Sequence, residues 1–192
     1  MAAKPSLPGE RRPVTILFTD IVGSTSIAER LDPEEWREVV QGAHRIVGEA
    51  VRRFGGTVAQ YLGDGVLAFF GAPATHEDDP LRGVRAALEI QHELKGYRSE
   101  LQGLVDDFQM RIGIHSGTVV VGEMGDAGHM EYLAIGDAVN LAARLQSSAE
   151  PGNVLVSEAI ARATRQAFEL EDLGEISVKG KSGGVHVYRV VG

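Results

Sequence analysis

A stripe of apolar side chains with helical spacing occupies residues 33–54 and constrains the fold. Apolar residues recur every three or four positions from Trp36 to Phe54, and Gly55-Gly56 ends the pattern. This spacing predicts one long helix with a single apolar face. Such a helix has to bury that face against another layer of structure. The sequence therefore predicts a layered domain.

Alternating apolar residues predict strands on both sides of this helix. Pro13–Asp20 precedes the helix, and Thr57–Leu62 and Val66–Phe70 follow it around a tight turn at Gly63-Asp64-Gly65. A second long helix is predicted to begin at Asp79-Pro80, with Asp79 as its N-cap. Helices and strands therefore alternate through the first half of the chain.

The remaining elements follow from the same patterns. They are a polar loop at 96–106, strands at 108–114 and 118–121, a turn at 125–128, a helix at 137–147, a strand at 154–157, a helix at 158–164 and a final hairpin of strands at 175–179 and 185–190. The order strand, helix, strand, strand, helix, strand is ferredoxin-like. We expect an α+β fold with a ferredoxin-like βαββαβ core, an antiparallel sheet covered by helices on one face, and extra C-terminal strands and a helix.

Charge and composition exclude several classes of function. The net charge is -8, whereas nonspecific nucleic-acid binders need clustered Lys and Arg. Without cysteine, the chain has no disulfide framework, thiolate nucleophile or cysteine zinc site. The chain contains no run of about 18 apolar residues, so no membrane span is predicted. The polar N-terminus lacks the apolar region of a secretion signal. We expect a cytoplasmic protein with a tail at 1–12 and one domain at 13–192.

Two aspartates are candidates for binding metal ions. Asp20 ends the first strand, directly before the Gly23-Ser24-Thr25 loop, and Asp64 lies at the tip of the predicted hairpin. If the first strand pairs beside this hairpin, the two carboxylates converge and can hold hard divalent cations. The alternative is that Asp20 caps a helix and Asp64 only forms a turn.

Polar and basic residues in the second half are candidates for binding an anionic ligand. Asn140 and Arg144 lie four residues apart on one face of a predicted helix. An amide and a guanidinium on one face suit an oxygen-rich anion. Lys179 and Lys181 end a late strand. The alternatives are a solvated helix face and an ordinary basic turn.

Taken together and in order, these segments closely resemble the catalytic domain of class III adenylyl and guanylyl cyclases. The five matching blocks are FTDIVGST at 18–25, LGDG at 62–65, GIHSG at 113–117, IGDAVNLAAR at 135–144 and VKGK at 178–181. The resemblance covers the chain from about residue 13 to residue 190. It implies a phosphorus-oxygen lyase, an adenylate cyclase that converts ATP to 3′,5′-cyclic AMP and pyrophosphate.

The resemblance also implies a metal site and a phosphate site. Asp20, Asp64 and the backbone carbonyl of Ile21 would bind two Mg²⁺ or Mn²⁺ ions per site, which lower the pKa of the ribose 3′-hydroxyl and anchor the phosphates. The loop of Gly23, Ser24 and Thr25 would offer backbone N–H groups to the phosphates.

The resemblance assigns the second group of residues to the nucleotide. Asn140 would orient the ribose, Arg144 would stabilise charge at the α-phosphate, and Lys179 would hold the terminal phosphates. In this family the metal aspartates come from one chain and these residues from the other. A homodimer with two equivalent sites is therefore implied, and a regulatory domain can be attached.

Two positions depart from the family pattern. Gln60 stands where adenylyl cyclases typically carry Lys, and Leu133 stands where they carry Asp or Thr. Gln60 can donate or accept a hydrogen bond, whereas Leu133 offers only apolar contact. Weak discrimination between purines is therefore expected, with ATP favoured because bacterial members are mostly adenylyl cyclases. The alternatives are a guanylate or relaxed-specificity cyclase, a nucleotide-binding regulatory domain, and another two-metal phosphoryl-transfer enzyme.

Overall fold

A computed structural model describes residues 10–124, 131–177 and 182–192 of the chain. Eight strands and five helices occupy these ranges. In chain order they are β1 (Glu10–Ile21), α1 (Ser24–Arg30), α2 (Pro33–Arg53), β2 (Thr57–Leu62), β3 (Gly65–Phe70), α3 (Asp79–Glu100), β4 (Met110–Met124), β5 (Glu131–Ile135), α4 (Asp137–Ser148), β6 (Val154–Ser157), α5 (Glu158–Thr164), β7 (Leu170–Ile176) and β8 (Val185–Val190).

The strands form one sheet in the order β2-β3-β1-β4-β6-β8-β7, and β5 also pairs with β4. The first four strands of that order pair antiparallel to one another, as in a ferredoxin-like core. Strand β6 runs parallel to β4, β8 lies antiparallel to β6, and β7 lies antiparallel to β8 at the edge of the sheet. The predicted α+β fold with its C-terminal additions is confirmed.

The prediction that helices cover one face of the sheet was wrong, because α4 also packs on the second face. The larger apolar core lies between the sheet and helices α2, α3 and α5. On the opposite face, α4 packs on β4 and β1 over a smaller cluster of apolar residues. Phe18, Val121 and Val139 remain only partly buried at the edge of that smaller cluster. No helix in the described ranges is both long and apolar enough to cross a membrane.

Several predicted boundaries were wrong. Helix α3 extends into the predicted loop at 96–106 and ends at Glu100. The extension is stabilised by Tyr97, which is buried and whose hydroxyl donates to the backbone oxygen of Val39 at 2.9 Å. The helix begins at Asp79, with Asp78 rather than Asp79 as the N-cap. The two predicted strands at 108–114 and 118–121 are one continuous strand, β4. Strand β5 was not predicted, and the predicted turn at 125–128 lies outside the described residues.

Strand β4 and helix α4 approach so closely at Gly113 that no side chain fits between them. A Cβ at Gly113 would lie 2.5 Å from the backbone oxygen of Ala142 and would also clash with the backbone nitrogen of Gln146. We expect Gly113→Ala to lower the free energy of unfolding by about 3 kcal/mol, because overpacking against backbone forces α4 away from the sheet. Urea denaturation measures this loss.

Gly96 provides the matched control for Gly113. It lies in α3 with open space around its Cα, so Gly96→Ala should raise the free energy of unfolding by about 1 kcal/mol through helix propensity alone. Equal changes in the free energy of unfolding for the two substitutions would contradict the close packing of α4 on β4.

Candidate active site

Strand pairing brings Asp20 and Asp64 together. Strand β1 lies antiparallel to β3, with Thr19 opposite Val66, so the end of β1 lies beside the β2–β3 turn. The backbone N–H of Ile21 donates to Asp20 Oδ1 at 3.0 Å and to Asp64 Oδ2 at 3.1 Å. Both carboxyl groups therefore lie within reach of one amide, as the metal-site hypothesis requires.

Asp64 strongly affects the ionisation of the Asp20 carboxyl group. Burial, a hydrogen bond with the Asp64 side chain and the charge of Asp64 raise the pKa of Asp20 from 3.8 to about 7. The Ile21 N–H and the positive charge of Arg111 act against this rise. A carboxyl pair of this kind is stable only when a proton or a cation neutralises part of its charge.

This donor set fits divalent cations that also bind the substrate. Within the described ranges, no group of three or more His, Cys, Asp or Glu side chains could hold a metal ion. Two carboxylates with a backbone carbonyl leave coordination positions open, and Mg²⁺ commonly fills such positions with water and substrate phosphates. The residues therefore suit ions that complete their coordination with water or phosphate oxygens rather than an ion enclosed by protein.

Close backbone packing sets the position of the turn that carries Asp64. A Cβ at Gly65 would lie 2.8 Å from the backbone oxygen of Thr19, so only glycine allows the hairpin this close to β1. Beyond β1, Gly23 has a φ of 66° and turns the chain into α1.

An open pocket of about 380 Å³ adjoins Asp64. Its lining residues are Ser24, Thr25, Ala28, Glu29, Trp36 and Asp64. Two of the three predicted phosphate-loop residues, Ser24 and Thr25, therefore share a pocket with a predicted metal ligand.

Arg111 was missed by the sequence analysis. It lies directly opposite Asp20 in the pairing of β1 with β4, and its charge lowers the pKa of Asp20. Its Nε atom is enclosed and has no hydrogen-bond partner in the described part of the chain. A charged residue between the buried Met110 and Ile112 was the available signal.

The structure brings together the strands that carry the two predicted base-reading residues. Gln60 is half-buried on β2 opposite Leu67, and Leu133 lies on β5 opposite Gly122. Strands β2 and β5 contact each other, although they are not neighbours in the sheet. Both positions therefore belong to one region of one chain.

The residues predicted to act on the ribose and α-phosphate lie on α4. Asn140 is exposed and Arg144 is half-buried, one turn apart on that helix. Within the described ranges, no hydrogen bond or ion pair joins either of them to Asp20 or Asp64. Lys179 lies outside the described residues.

Comparisons with known proteins identify the relatives of this chain. The family described as adenylate and guanylate cyclase catalytic domain matches residues 8–192. Adenylate cyclase 1 of Rhizobium meliloti is 34% identical over 185 residues, which are 95% of this chain but 28% of that relative. The chain thus spans less than a third of the length of that protein.

Solved structures of cyclases match the fold closely. The adenylyl cyclase CyaB from P. aeruginosa has a TM-score of 0.91 at 32% identity and covers 97% of both chains. The guanylyl cyclase Cya2 has a TM-score of 0.89 at 33% identity and covers 97% of this chain and 95% of that one. The resemblance inferred from the sequence is confirmed, and adenylyl and guanylyl cyclases match about equally well.

Proposed function

Because the chain belongs to the adenylate and guanylate cyclase catalytic domain family, we propose that it converts ATP to 3′,5′-cyclic AMP and pyrophosphate at sites formed between two copies of the chain. The observation that carries this proposal is the approach of Asp20 to Asp64 around the Ile21 amide. A pair of neighbouring aspartates, one of which lines an open pocket, is suited to two-metal chemistry at phosphorus.

We propose that Asp20, Asp64 and the Ile21 carbonyl hold two Mg²⁺ or Mn²⁺ ions. Bound there, such ions neutralise phosphate charge and make the ribose 3′-hydroxyl more acidic. Because burial and the neighbouring Asp64 raise the pKa of Asp20 to about 7, we expect ion binding to compete with protonation of this carboxyl group. Arg111, beside Asp20, offers a further positive charge to the phosphates.

The remaining candidates act on the nucleotide in a single displacement. The ribose 3′-oxygen releases its proton to water and bonds to the α-phosphorus, and the bond from that phosphorus to the oxygen bridging the α- and β-phosphates breaks to release pyrophosphate. Asn140 would orient the ribose, and Arg144 would balance negative charge developing at the α-phosphate. Lys179 and the loop with Gly23, Ser24 and Thr25 would hold the departing phosphates.

The arrangement of the two residue groups supports a homodimer. The carboxylates lie at the end of β1 and the β2–β3 turn, and no described contact connects them to Asn140 or Arg144. A twofold pair would place the carboxylates of one chain opposite α4 of the other and would form two equivalent sites. We also propose an attached regulatory domain, because the chain spans only 28% of its Rhizobium meliloti relative.

The preference for ATP rests on the relatives and on Gln60. Adenylate cyclases of Rhizobium meliloti and Anabaena cylindrica are 34% and 32% identical to this chain. The Gln60 amide can both donate and accept a hydrogen bond, so it can pair with adenine and tolerate guanine. The side chain of Leu133 has no polar group that either base could leave without a hydrogen-bond partner, so it does not discriminate between them.

The test is product formation from ATP and from GTP, each with Mn²⁺ and with Mg²⁺. We expect cyclic AMP to form faster than cyclic GMP, but by no more than about 100-fold, because no second polar group opposes the wrong base. Chromatography of the products under matched conditions measures the ratio, and Asp20→Ala is the control for contaminating activity.

The possible outcomes separate the alternatives. Equal rates with both nucleotides would indicate a relaxed-specificity cyclase, and faster cyclic GMP formation would indicate a guanylate cyclase. No cyclic product from a verified dimer would favour a regulatory domain that only binds nucleotide, which the departures at Gln60 and Leu133 make the second candidate.

A further inference from the structure

Trp36 is the only tryptophan of the chain, and it lies in the first turns of helix α2. Its backbone N–H donates to the backbone oxygen of Asp32 at 2.9 Å. The N–H of Asp32 donates to the Glu35 side chain at 3.0 Å, as part of a capping box. Because the capping box satisfies terminal polar groups of α2, the indole extends from a fixed backbone.

The side chain of Trp36 has two different surroundings. It is half-buried, and part of it packs against the larger apolar core between α2 and the sheet. Another part lines the open pocket of about 380 Å³ that Asp64 also lines. Ser24 and Thr25 of the predicted phosphate loop line the same pocket. Trp36 therefore forms part of the wall of the cavity that adjoins a predicted metal ligand.

The chemistry of the pocket suits a metal–phosphate complex. Its two carboxyl groups, Glu29 and Asp64, attract cations, so a phosphate chain is favoured there only together with metal ions. Among the described lining residues, Trp36 supplies the one large apolar surface. Water beside an apolar surface is weakly held, and its release by a ligand favours binding. Exclusion of that water also strengthens the attraction between a carboxylate, a cation and phosphate oxygens, because it lowers the local dielectric constant.

We propose that the Trp36 indole is a wall of the nucleotide site, which covers the phosphate end of the metal–nucleotide complex and keeps bulk water away from Asp64. When the complex fills the pocket, the indole loses its remaining contact with water. Trp36 is thus a binding residue and takes no part in proton transfer. The inference rests on the proposed function in taking this pocket as the place of the metal ions and phosphates.

The fluorescence of the unaltered chain tests this directly, because Trp36 is its only tryptophan. Acrylamide, a neutral quencher, measures how far the indole is open to solvent. The ligand is Mg²⁺ with an α,β-methylene ATP analogue that cannot be cyclised. We expect it to lower the Stern–Volmer slope about twofold, because a ligand in a pocket covers the surfaces that it faces. The nucleotide concentration at half the effect should equal the Kd from equilibrium dialysis.

Two substitutions at Trp36 separate the wall from its size. Trp36→Ala removes the wall, whereas Trp36→Phe keeps an aromatic surface there. We expect Trp36→Ala to raise the Kd of the analogue and the KM for ATP about 10-fold and to change kcat less than about threefold, because the contact is present in the bound substrate and in the transition state alike. Trp36→Phe should keep the Kd and KM within about threefold of the original values.

Val40→Ala is the matched control for weaker packing of α2. Val40 lies one turn beyond Trp36, is half-buried and packs against the same core, but it does not line the pocket. The substitution should lower the temperature of thermal unfolding. It should leave the Kd, the KM and the protection of Trp36 from acrylamide unchanged.

The outcomes distinguish this inference from the proposed function. An unchanged Stern–Volmer slope at saturating nucleotide would overturn the inference even if the chain is an active cyclase. Equal rises of the Kd in Trp36→Ala and Val40→Ala would also overturn it, because the effect would then be general loosening of α2. If the analogue protects Trp36 but the chain forms no cyclic product from ATP or GTP, the inference stands and the proposed function fails. Absence of nucleotide binding would overturn both.

Discussion

Asp20→Asn should lower the rate of cyclic nucleotide formation by about 1000-fold, because the substitution removes one of the two carboxylates that we propose as ligands of the metal ions. Asparagine has nearly the same shape, and its oxygen can still accept the Ile21 N–H that Asp20 accepts at 3.0 Å. The loss should therefore appear in the rate at saturating nucleotide and metal, without a change of fold. Steady-state assays with Mn²⁺ and Mg²⁺ measure it.

Thermal unfolding provides the control for that loss. The folded pKa of Asp20 is raised from 3.8 to about 7, so ionising this group costs stability as the pH rises through that interval. Asparagine does not ionise and avoids this cost. In chelator-treated buffer, Asp20→Asn should therefore melt above the unaltered chain at pH 8, and the difference should shrink toward pH 4. Lower stability of Asp20→Asn at pH 8 would leave the rate loss open to an unfolding explanation.

Mixing two inactive variants should restore activity if each site takes residues from both chains. Asp20→Asn disables the carboxylate half of a site, and Arg144→Ala disables the half on α4. In a mixed dimer one site inherits both defects and the other inherits neither. Equal co-expression should recover about one quarter of the original activity, since about half of the dimers are mixed and each has one intact site. The two chains carry different tags, so that the share of mixed dimers in the co-expressed population can be measured together with its activity.

A second mixture tests whether recovery requires complementary halves. Asp20→Asn and Asp64→Asn both damage the carboxylate half, so their mixed dimers contain no intact site and should recover nothing. Recovery in this pair would point to contaminating enzyme. No recovery from Asp20→Asn with Arg144→Ala, in dimers shown to be mixed, would place each active site within a single chain.

Local periodicity was sufficient to predict the elements whose burial follows from their own sequence. Helix α2 was predicted within a residue, and β6, α5 and β8 at their observed bounds, because each has a clean apolar pattern next to a turn or cap. The predicted approach of Asp20 to Asp64 agrees with the geometry, since it needs only β1 to pair beside the hairpin.

The errors arose where distant residues decide the conformation. Polar residues inside β4 suggested a break between two strands, yet Thr15 and Ser116 share a hydrogen bond of 2.7 Å across the sheet. His115 Nδ1 and Ser157 Oγ form another at 2.8 Å. The polar side chains inside β4 therefore have hydrogen-bond partners, and the strand continues without a break. Arg111 was missed for the same reason, because its position opposite Asp20 depends on the register of β4.

The absence of a side chain at Gly113 has a consequence for control of the rate. Because α4 rests directly on the backbone of β4, we expect the helix with Asn140 and Arg144 to move together with the sheet that carries Asp20 and Arg111. In the proposed homodimer, internal flexing of a protomer would then contribute little to switching. The adjustable quantity would be the rotation of one protomer against its twin, and twofold symmetry would make any such rotation open or close both sites in concert. A regulator attached to this domain would thus work as a torque on the pair, setting catalytic output through a single angle.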